Sequence, residues 1–165
     1  MQPRVASVLY FAYDTRAIEG GEVSECERFM HNWFERVWNQ GDRGAIFELY
    51  HVDGIAHGVD EQGESTQAGP EAFAAFAAFH DMMVASFGTR HFTIEDEVVC
   101  GPKTAVRWTA VFTHTGEFMG NPPTGRTLRV TGMSFSHLRD GKIQEAWNNW
   151  DLPLLIELTA PEAQA

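Results

Sequence analysis

Hydrophobic residues recur at a helical spacing through much of the first half of the chain. Over residues 24–39 they lie three and four positions apart, which is typical of the apolar face of an amphipathic helix. Ser24, with a glutamate three positions later, is typical of a helix start, and Gly41 of a helix end. The same spacing predicts a short helix over residues 43–50 and a third helix over residues 70–87.

Hydrophobic and polar residues alternate in the second half, which predicts β-strands. An early strand is predicted over residues 51–60, and four longer strands follow, over residues 91–100, 104–116, 126–138 and 143–151. Helices followed by a run of strands predict a segregated α+β domain, with a curved antiparallel sheet covered on one face by about three helices. We expect a pocket in the concavity that such a sheet leaves. Alternation alone leaves open which side of each strand faces that pocket.

Composition limits the classes of partner. The 165 residues carry 12 basic and 23 acidic side chains, a net charge of −11, and 17 of the acidic side chains lie in the first 100 residues. Such a chain lacks the basic surface that binds nucleic acid, and an anionic membrane would repel it. No segment is apolar for long enough to span a membrane or to direct export, so we expect a cytoplasmic protein.

Metal and other cofactors are not expected. Cys26 and Cys100 lie far apart and have no metal-ligand spacing around them, so both are interpreted as core thiols. No two histidines have the spacing that brings two imidazoles to one ion.

Three ionisable residues are candidates for proton transfer. His57, on the predicted first strand, either lines the pocket as a general base or satisfies a neighbouring carboxylate. His114 shares one side of its strand with Trp108; alternatively its imidazole bonds to the backbone of the glycine-rich turn that follows. Asp151 ends the last strand, where it either takes part in the chemistry or caps a helix over residues 152–158.

Several motifs in the second half resemble those of the SnoaL-like polyketide cyclase family. They are His-x-Gly-x-x-x-Gly-x-Pro-Pro-Thr at residues 114–124, Asp-Gly-Lys-Ile at 140–143, Glu-Ala-Trp at 145–147 with Trp-Asp at 150–151, and Gly-Pro-Glu at 69–71. The resemblance covers residues 24–158. It implies the cone-shaped fold of nuclear transport factor 2, usually dimeric through the open face of the sheet. In the family's aldol cyclases an aspartate on the last strand exchanges the proton, and Asn148 occupies that position here. An amide cannot perform that exchange at neutral pH.

We expect an apolar small-molecule substrate, because aromatic residues dominate the predicted pocket. The candidate catalytic residues are His57, His114 and Asp151, and the candidate substrate-binding residues are Trp33, Phe73, Phe76, His80, Trp108, Phe112, Phe135, Asn148 and Trp150. The first hypothesis is a cofactor-free enzyme that cyclises or isomerises a bulky polyketide- or terpenoid-like intermediate. The alternative is a non-catalytic binding or protein-interaction module. Water addition of the epoxide-hydrolase kind is disfavoured, because Arg107 lies on the opposite side of its strand from His114.

The expected organisation is an extension over residues 1–23, one domain over residues 24–158 and a flexible tail over residues 159–165. The fold predicts a homodimer, because the outer face of the sheet would otherwise expose apolar side chains.

Overall fold

A computed structural model describes residues 25–58 and 66–161, with side chains from residue 28 onward. The predicted N-terminal extension and the Ser24 cap lie outside the described residues. So do residues 59–65, which hold the end of the predicted first strand and most of the following loop, and the last four residues of the predicted tail.

Within the described residues, four α-helices and one π-helical segment form the helical part. Their bounds are α1 Glu25–Trp33, the π-helix Phe34–Asn39, α2 Arg43–Leu49, α3 Gly69–Ser86 and α4 Leu152–Thr159. The single helix predicted over residues 24–39 is thus an α-helix that widens into a π-helix. α2 begins at Arg43 because the Asp42 side chain accepts the backbone N–H of Ala45, which satisfies one unpaired donor of the first turn.

Six strands form one sheet in the part of the chain that the structure describes. Their bounds are β1 Tyr50–His57, β2 Thr66–Ala68, β3 Phe87–Cys100, β4 Lys103–His114, β5 Thr127–Arg139 and β6 Lys142–Trp150. Their order across the sheet is β2-β1-β6-β5-β4-β3. The alternation predicted the four long strands to within a few residues. It missed β2, whose three residues lie in the predicted loop and pair with the end of β1.

The sheet is mixed, curved and unclosed. β3 to β6 form the predicted antiparallel meander, but β1 pairs with β6 in parallel, with Ala56 opposite Ala146 and His57 opposite Trp147. The α+β class predicted from the sequence is confirmed.

Each long strand has a face toward the helices, called the inner face below, and an outer face directed away from them. On β4 the inner positions are Val106, Trp108, Ala110, Phe112 and His114, all of them buried. The inner face and the helices enclose the hydrophobic core. No helix described here is long and apolar enough to span a membrane.

Candidate functional site

A cavity of about 100 Å³ lies between the helices and the inner face of the sheet. We call it the inner cavity. Aromatic and aliphatic side chains form most of its wall, and the described polar lining residues are all uncharged. The main lining residues are Met30, Trp33, Phe34, Trp38, Tyr50, Phe76, Phe79, Phe92, Trp108, Ser134, Ser136, Asn148 and Trp150. Among the described lining residues Tyr50 is the one with a titratable side chain.

The π-helix brings Trp38 to the cavity wall. Its wider turn leaves backbone carbonyl groups available, and side chains from α3 and β3 donate to two of them. The buried His80 donates from Nε2 to the carbonyl oxygen of Val37 at 2.7 Å, and Arg90 donates from Nε to that of Trp38 at 3.3 Å. His80 therefore supports the segment that carries Trp38.

A chain of hydrogen bonds joins three polar side chains of the cavity wall. The indole N–H of Trp108 donates to Ser134 Oγ at 3.1 Å, and Ser134 Oγ donates to Asn148 Oδ1 at 2.9 Å. Ser134 and Asn148 are register partners on β5 and β6. Gly132 makes this possible, since a Cβ at that position would collide with the ring of Trp108 and with the carbonyl oxygen of Asn149.

Tyr50 presents a buried hydroxyl group. Its side chain is 4% exposed, and its hydroxyl oxygen has no hydrogen-bond partner among the described residues. Burial, together with the nearby carboxylate of Glu145, raises the pKa of Tyr50 to about 12, so the phenol stays protonated at neutral pH. The ring stacks on Phe76 at 5.8 Å between centroids and lies against Gly54, where a side chain would overlap it.

The structure brings five of the sequence-predicted residues together at the inner cavity. These are Trp33, Phe76, Trp108, Asn148 and Trp150. The other aromatic candidates lie elsewhere. Phe73 packs on Phe47, Phe112 is completely buried beside Phe87, and Phe135 is 38% exposed on the outer face.

His57 points to the outer face of the sheet. Its ring stacks on Trp147 at 4.7 Å, almost parallel to it. Its Nε2 lies 3.0 Å from Glu145 Oε1, and its Nδ1 lies 2.8 Å from the hydroxyl of Thr66. His137 Nδ1 approaches the other oxygen of Glu145 at 3.4 Å, so two imidazoles share one carboxylate. Of the two interpretations offered by the sequence, the contact with a carboxylate is present. The carboxylate belongs to Glu145 on β6, which is distant from His57 in the sequence.

His114 is completely buried at the end of β4. Its Nδ1 lies 3.1 Å from the hydroxyl of Thr124, and its backbone pairs with Gly125 and Arg126, which closes the glycine-rich loop. Burial lowers the pKa of His114, and the positive charge of Arg126 adds to this effect. At neutral pH the ring is therefore an uncharged part of the loop anchor.

Asp151 caps α4. Its Oδ1 accepts the backbone N–H of Leu154 at 2.9 Å, and its side chain is exposed at the start of the helix. The capping alternative from the sequence is therefore observed. His57, His114 and Asp151 lie in three separate places, and none of them lines the inner cavity.

A second, more open groove of about 490 Å³ lies on the outer face. We call it the outer groove. Its lining includes His57, Trp147 and Phe135 together with charged side chains, among which Arg107 and Asp96 pair at 2.6 Å. Within the described residues, no group of three or more His, Cys, Asp or Glu side chains could hold a metal ion.

Sequence reasoning missed Tyr50, Ser134 and Trp38 as cavity residues. Ser134 carried a usable signal, because it and Ser136 are polar residues on the side of β5 that begins with Leu128 and Val130. Tyr50 carried no such signal, since the spacing of hydrophobic residues placed Tyr50 at the end of a predicted helix rather than at the first position of β1.

Solved structures share this architecture. A proposed SnoaL-like polyketide cyclase from Jannaschia sp. CCS1 is 20% identical, with 89% of this chain and 99% of that chain covered and a TM-score of 0.69. AclR, a proposed hydroxylase from Streptomyces galilaeus, is 21% identical over 87% of each chain, with a TM-score of 0.71. IdmH, a proposed polyketide cyclase from Streptomyces antibioticus, is 27% identical over 82% of this chain and 99% of that one, with a TM-score of 0.67.

No curated protein sequence matches this chain. The family model for the SnoaL-like polyketide cyclase matches residues 28–156, which span both the helices around the inner cavity and all six strands. The chain belongs to the SnoaL-like polyketide cyclase family.

Proposed function

We propose that this protein is a cofactor-free enzyme that cyclises or isomerises an apolar polyketide- or terpenoid-like intermediate held in the inner cavity. One observation carries the proposal: a cavity between the helices and the sheet whose wall is mostly aromatic and aliphatic, with a few uncharged polar side chains. Membership of the family and the likeness to IdmH, which is described as a proposed polyketide cyclase, are consistent with this chemistry.

The size of the cavity indicates how much of the ligand is enclosed. A volume of about 100 Å³ is of the same order as an apolar cavity that accommodates one benzene ring. The reacting ring of the intermediate therefore occupies the inner cavity. The remainder of a bulky intermediate extends out past Gln67 and Ala75, lining residues that are half-buried and exposed, respectively.

Positioning accounts for most of the catalysis in this proposal. Substrate and product of a cyclisation or isomerisation contain the same atoms, so no second reactant is needed. Because the three ionisable candidates lie outside the cavity, the walls act by holding the reacting atoms close together in a dry site. Tyr50 is the described lining residue that can donate a proton to an oxygen that gains negative charge.

A ring-sized ketone tests the proposal. Trp33, Trp38, Trp108 and Trp150 line the cavity, so quenching of tryptophan fluorescence reports binding of 2-tetralone. Proton NMR in deuterium oxide reports exchange at its C1 position, the enolisation step of an aldol cyclisation or a keto–enol isomerisation. A solvent water or hydroxide takes up the C1 proton, because the described lining residues include no ionised base. We expect 2-tetralone to bind, and to exchange at least about 10-fold faster with the protein than in buffer alone. That ratio corresponds to an activation free energy lower by about 1.4 kcal/mol.

Ala75→Trp supplies the blocking variant and Ala74→Trp its control. Both alanines are exposed neighbours on α3, but Ala75 lines the inner cavity and Ala74 does not. Only Ala75→Trp should abolish binding and exchange. Equal effects of the two variants, or no binding by the unmodified protein, would contradict the proposal.

The alternative function is a binding module without catalysis. It is favoured by the absence of any ionised side chain among the described lining residues of the cavity. Binding of 2-tetralone without faster exchange would support this alternative over the enzyme.

We also propose that a second copy of the chain covers the outer face. Met133 is 60% exposed there, Val98 56% and Phe135 38%, and an apolar surface of this kind is typical of an interface. Met133→Asp should convert a dimer into a monomer in size-exclusion chromatography with light scattering. Met119→Asp makes the same change at an exposed loop position and should leave the dimer intact. A monomeric unmodified protein at micromolar concentration would contradict this arrangement.

A further inference from the structure

We propose that the outer face of the sheet carries a second reactive site, where the hydroxyl of Thr66 is a nucleophile for activated acyl esters. In this site His57 is the general base, and Glu145 is the carboxylate that orients it. The inference does not depend on the function of the inner cavity, since none of these three residues lines it.

The strand order brings the three side chains together. β1 lies between β2 and β6 in the sheet. Thr66 on β2 and His57 on β1 are register partners, so their side chains leave the same face of the sheet. Glu145 lies on β6, on the other side of β1. The imidazole of His57 is therefore flanked by a hydroxyl on one side and by a carboxylate on the other.

The hydrogen bonds fix the direction of proton donation. A carboxylate can only accept, so Nε2 of His57, 3.0 Å from Glu145 Oε1, carries the ring hydrogen. The other nitrogen of a neutral imidazole is then an acceptor. The Thr66 hydroxyl, 2.8 Å from His57 Nδ1, therefore donates to that nitrogen. A hydroxyl that donates to a base, which is in turn oriented by a carboxylate, is the arrangement that activates serine and threonine nucleophiles.

The base is held in place while the nucleophile stays accessible. The ring of Trp147 lies parallel to that of His57 at 4.7 Å and covers one of its faces. The side chain of His57 is 23% exposed, and Thr66 is exposed on the edge strand β2. Two strands, β1 and β6, separate Thr66 from Met133 on β5. A dissolved ester can therefore reach the hydroxyl at the margin of the outer face.

The three groups determine the reaction and the class of substrate. Thr66 Oγ1 attacks the carbonyl carbon, its proton passes to His57 Nδ1 and then to water, and the bond from that carbon to the leaving group breaks. Water next attacks the acyl-threonine and gives a proton to His57, which returns it to Thr66 Oγ1 as the carboxylic acid leaves. None of the three groups donates to the carbonyl oxygen while it gains negative charge. The substrate is therefore an activated ester, whose leaving group departs without being protonated.

Hydrolysis of 4-nitrophenyl acetate by the full chain tests the inference. Absorbance of 4-nitrophenolate follows the rate, and peptide mass spectrometry after an acid quench locates the acetyl group. We expect an acetyl group on Thr66. Acetylation of lysine side chains without any on Thr66 overturns the proposal, and this result requires no variant to fold.

Substitutions then assign the roles. Thr66→Val and His57→Gln should each lower the hydrolysis rate per folded molecule at least about 10-fold, because a positioned general base contributes that much or more. Thr66→Ser keeps the hydroxyl and should keep most of the rate. Thr131→Val is the matched control, since it makes the same change at an exposed position of β5.

Two outcomes of the substitutions overturn the assignment. Equal rates for Thr66→Val and Thr131→Val would show that the hydroxyl of Thr66 is not the nucleophile. A loss of rate in His57→Gln without a loss in Thr66→Val would make the imidazole itself the reacting group. Glu145→Gln removes the charge that orients His57 and should give a rate between those of the unmodified protein and His57→Gln. A rate equal to that of the unmodified protein would remove Glu145 from the site.

Discussion

The inner cavity and the outer groove lie on opposite faces of the same strands, yet their chemistry is different. The inner cavity is enclosed and aromatic, and its described polar groups are uncharged: a tyrosine, serines and amides. The outer groove is open and carries an Arg107–Asp96 ion pair, and two histidines share Glu145 at its His57 edge. Ionisable side chains therefore lie on the outer face here, whereas the polar groups of the inner cavity are neutral.

Strand alternation produces this contrast from neighbouring residues. On β6, Asn148 lines the inner cavity, whereas Trp147 and Asn149 line the outer groove; on β5, Ser134 lines the cavity and Met133 the groove. Asn148 and Ser134 also border the groove. One position along a strand thus decides whether a side chain lies at the inner cavity or on the outer face. The comparison can be tested by disturbing each face separately.

The largest effect is expected where the cavity wall has no spare room. Gly132→Ala places a methyl group against the Trp108 ring and the Asn149 carbonyl. It should lower the free energy of unfolding by about 3 kcal/mol, as overpacking of a core does, and weaken ketone binding by displacing Trp108. Urea unfolding and tryptophan quenching measure the two effects. Adding Trp108→Phe should recover part of the stability; no recovery would show that the collision with the ring is not the cause.

A smaller effect is expected on the stability of the protein at high pH, where Tyr50 ionises. In the folded protein the pKa of Tyr50 is raised to about 12, whereas the unfolded chain has the ordinary value near 10. The folded state therefore holds its proton more tightly, and stability is full below pH 10 and falls as the pH rises toward 12. A loss of about 2 kcal/mol is expected over this range. Tyr50→Phe should unfold with a smaller pH dependence, and identical profiles for the two proteins would contradict a buried, protonated Tyr50.

The smallest effects are expected outside the cavity. His57→Ala should change 2-tetralone affinity and exchange by less than about 2-fold, since His57 faces the outer groove. Asp151→Ala should lower stability by about 1 kcal/mol through loss of the α4 cap and leave exchange per folded molecule unchanged. Deuterium exchange into 2-tetralone measures the activity of each variant, and chemical denaturation measures its stability. A large loss of exchange in His57→Ala would place the chemistry on the outer face and reverse the comparison.

The sequence by itself determined the class of fold and the family. Periodicity is a local property, so the helices and the four long strands could be predicted from neighbouring residues. Motifs such as Asp140-Gly141 and the run from His114 to Thr124 identified the family. Local patterns also supplied the aromatic residues Trp33, Phe76, Trp108 and Trp150, which do line the cavity.

Only the tertiary structure decided which of those residues meet. The parallel pairing of β1 with β6 depends on contacts between distant segments, and it sends His57 to the outer face and Tyr50 to the cavity. Alternation divides each strand into two sets of residues, but only packing against the helices selects the buried set. For the same reason the Trp108–Ser134–Asn148 chain, drawn from three strands, could not be predicted from any one of them.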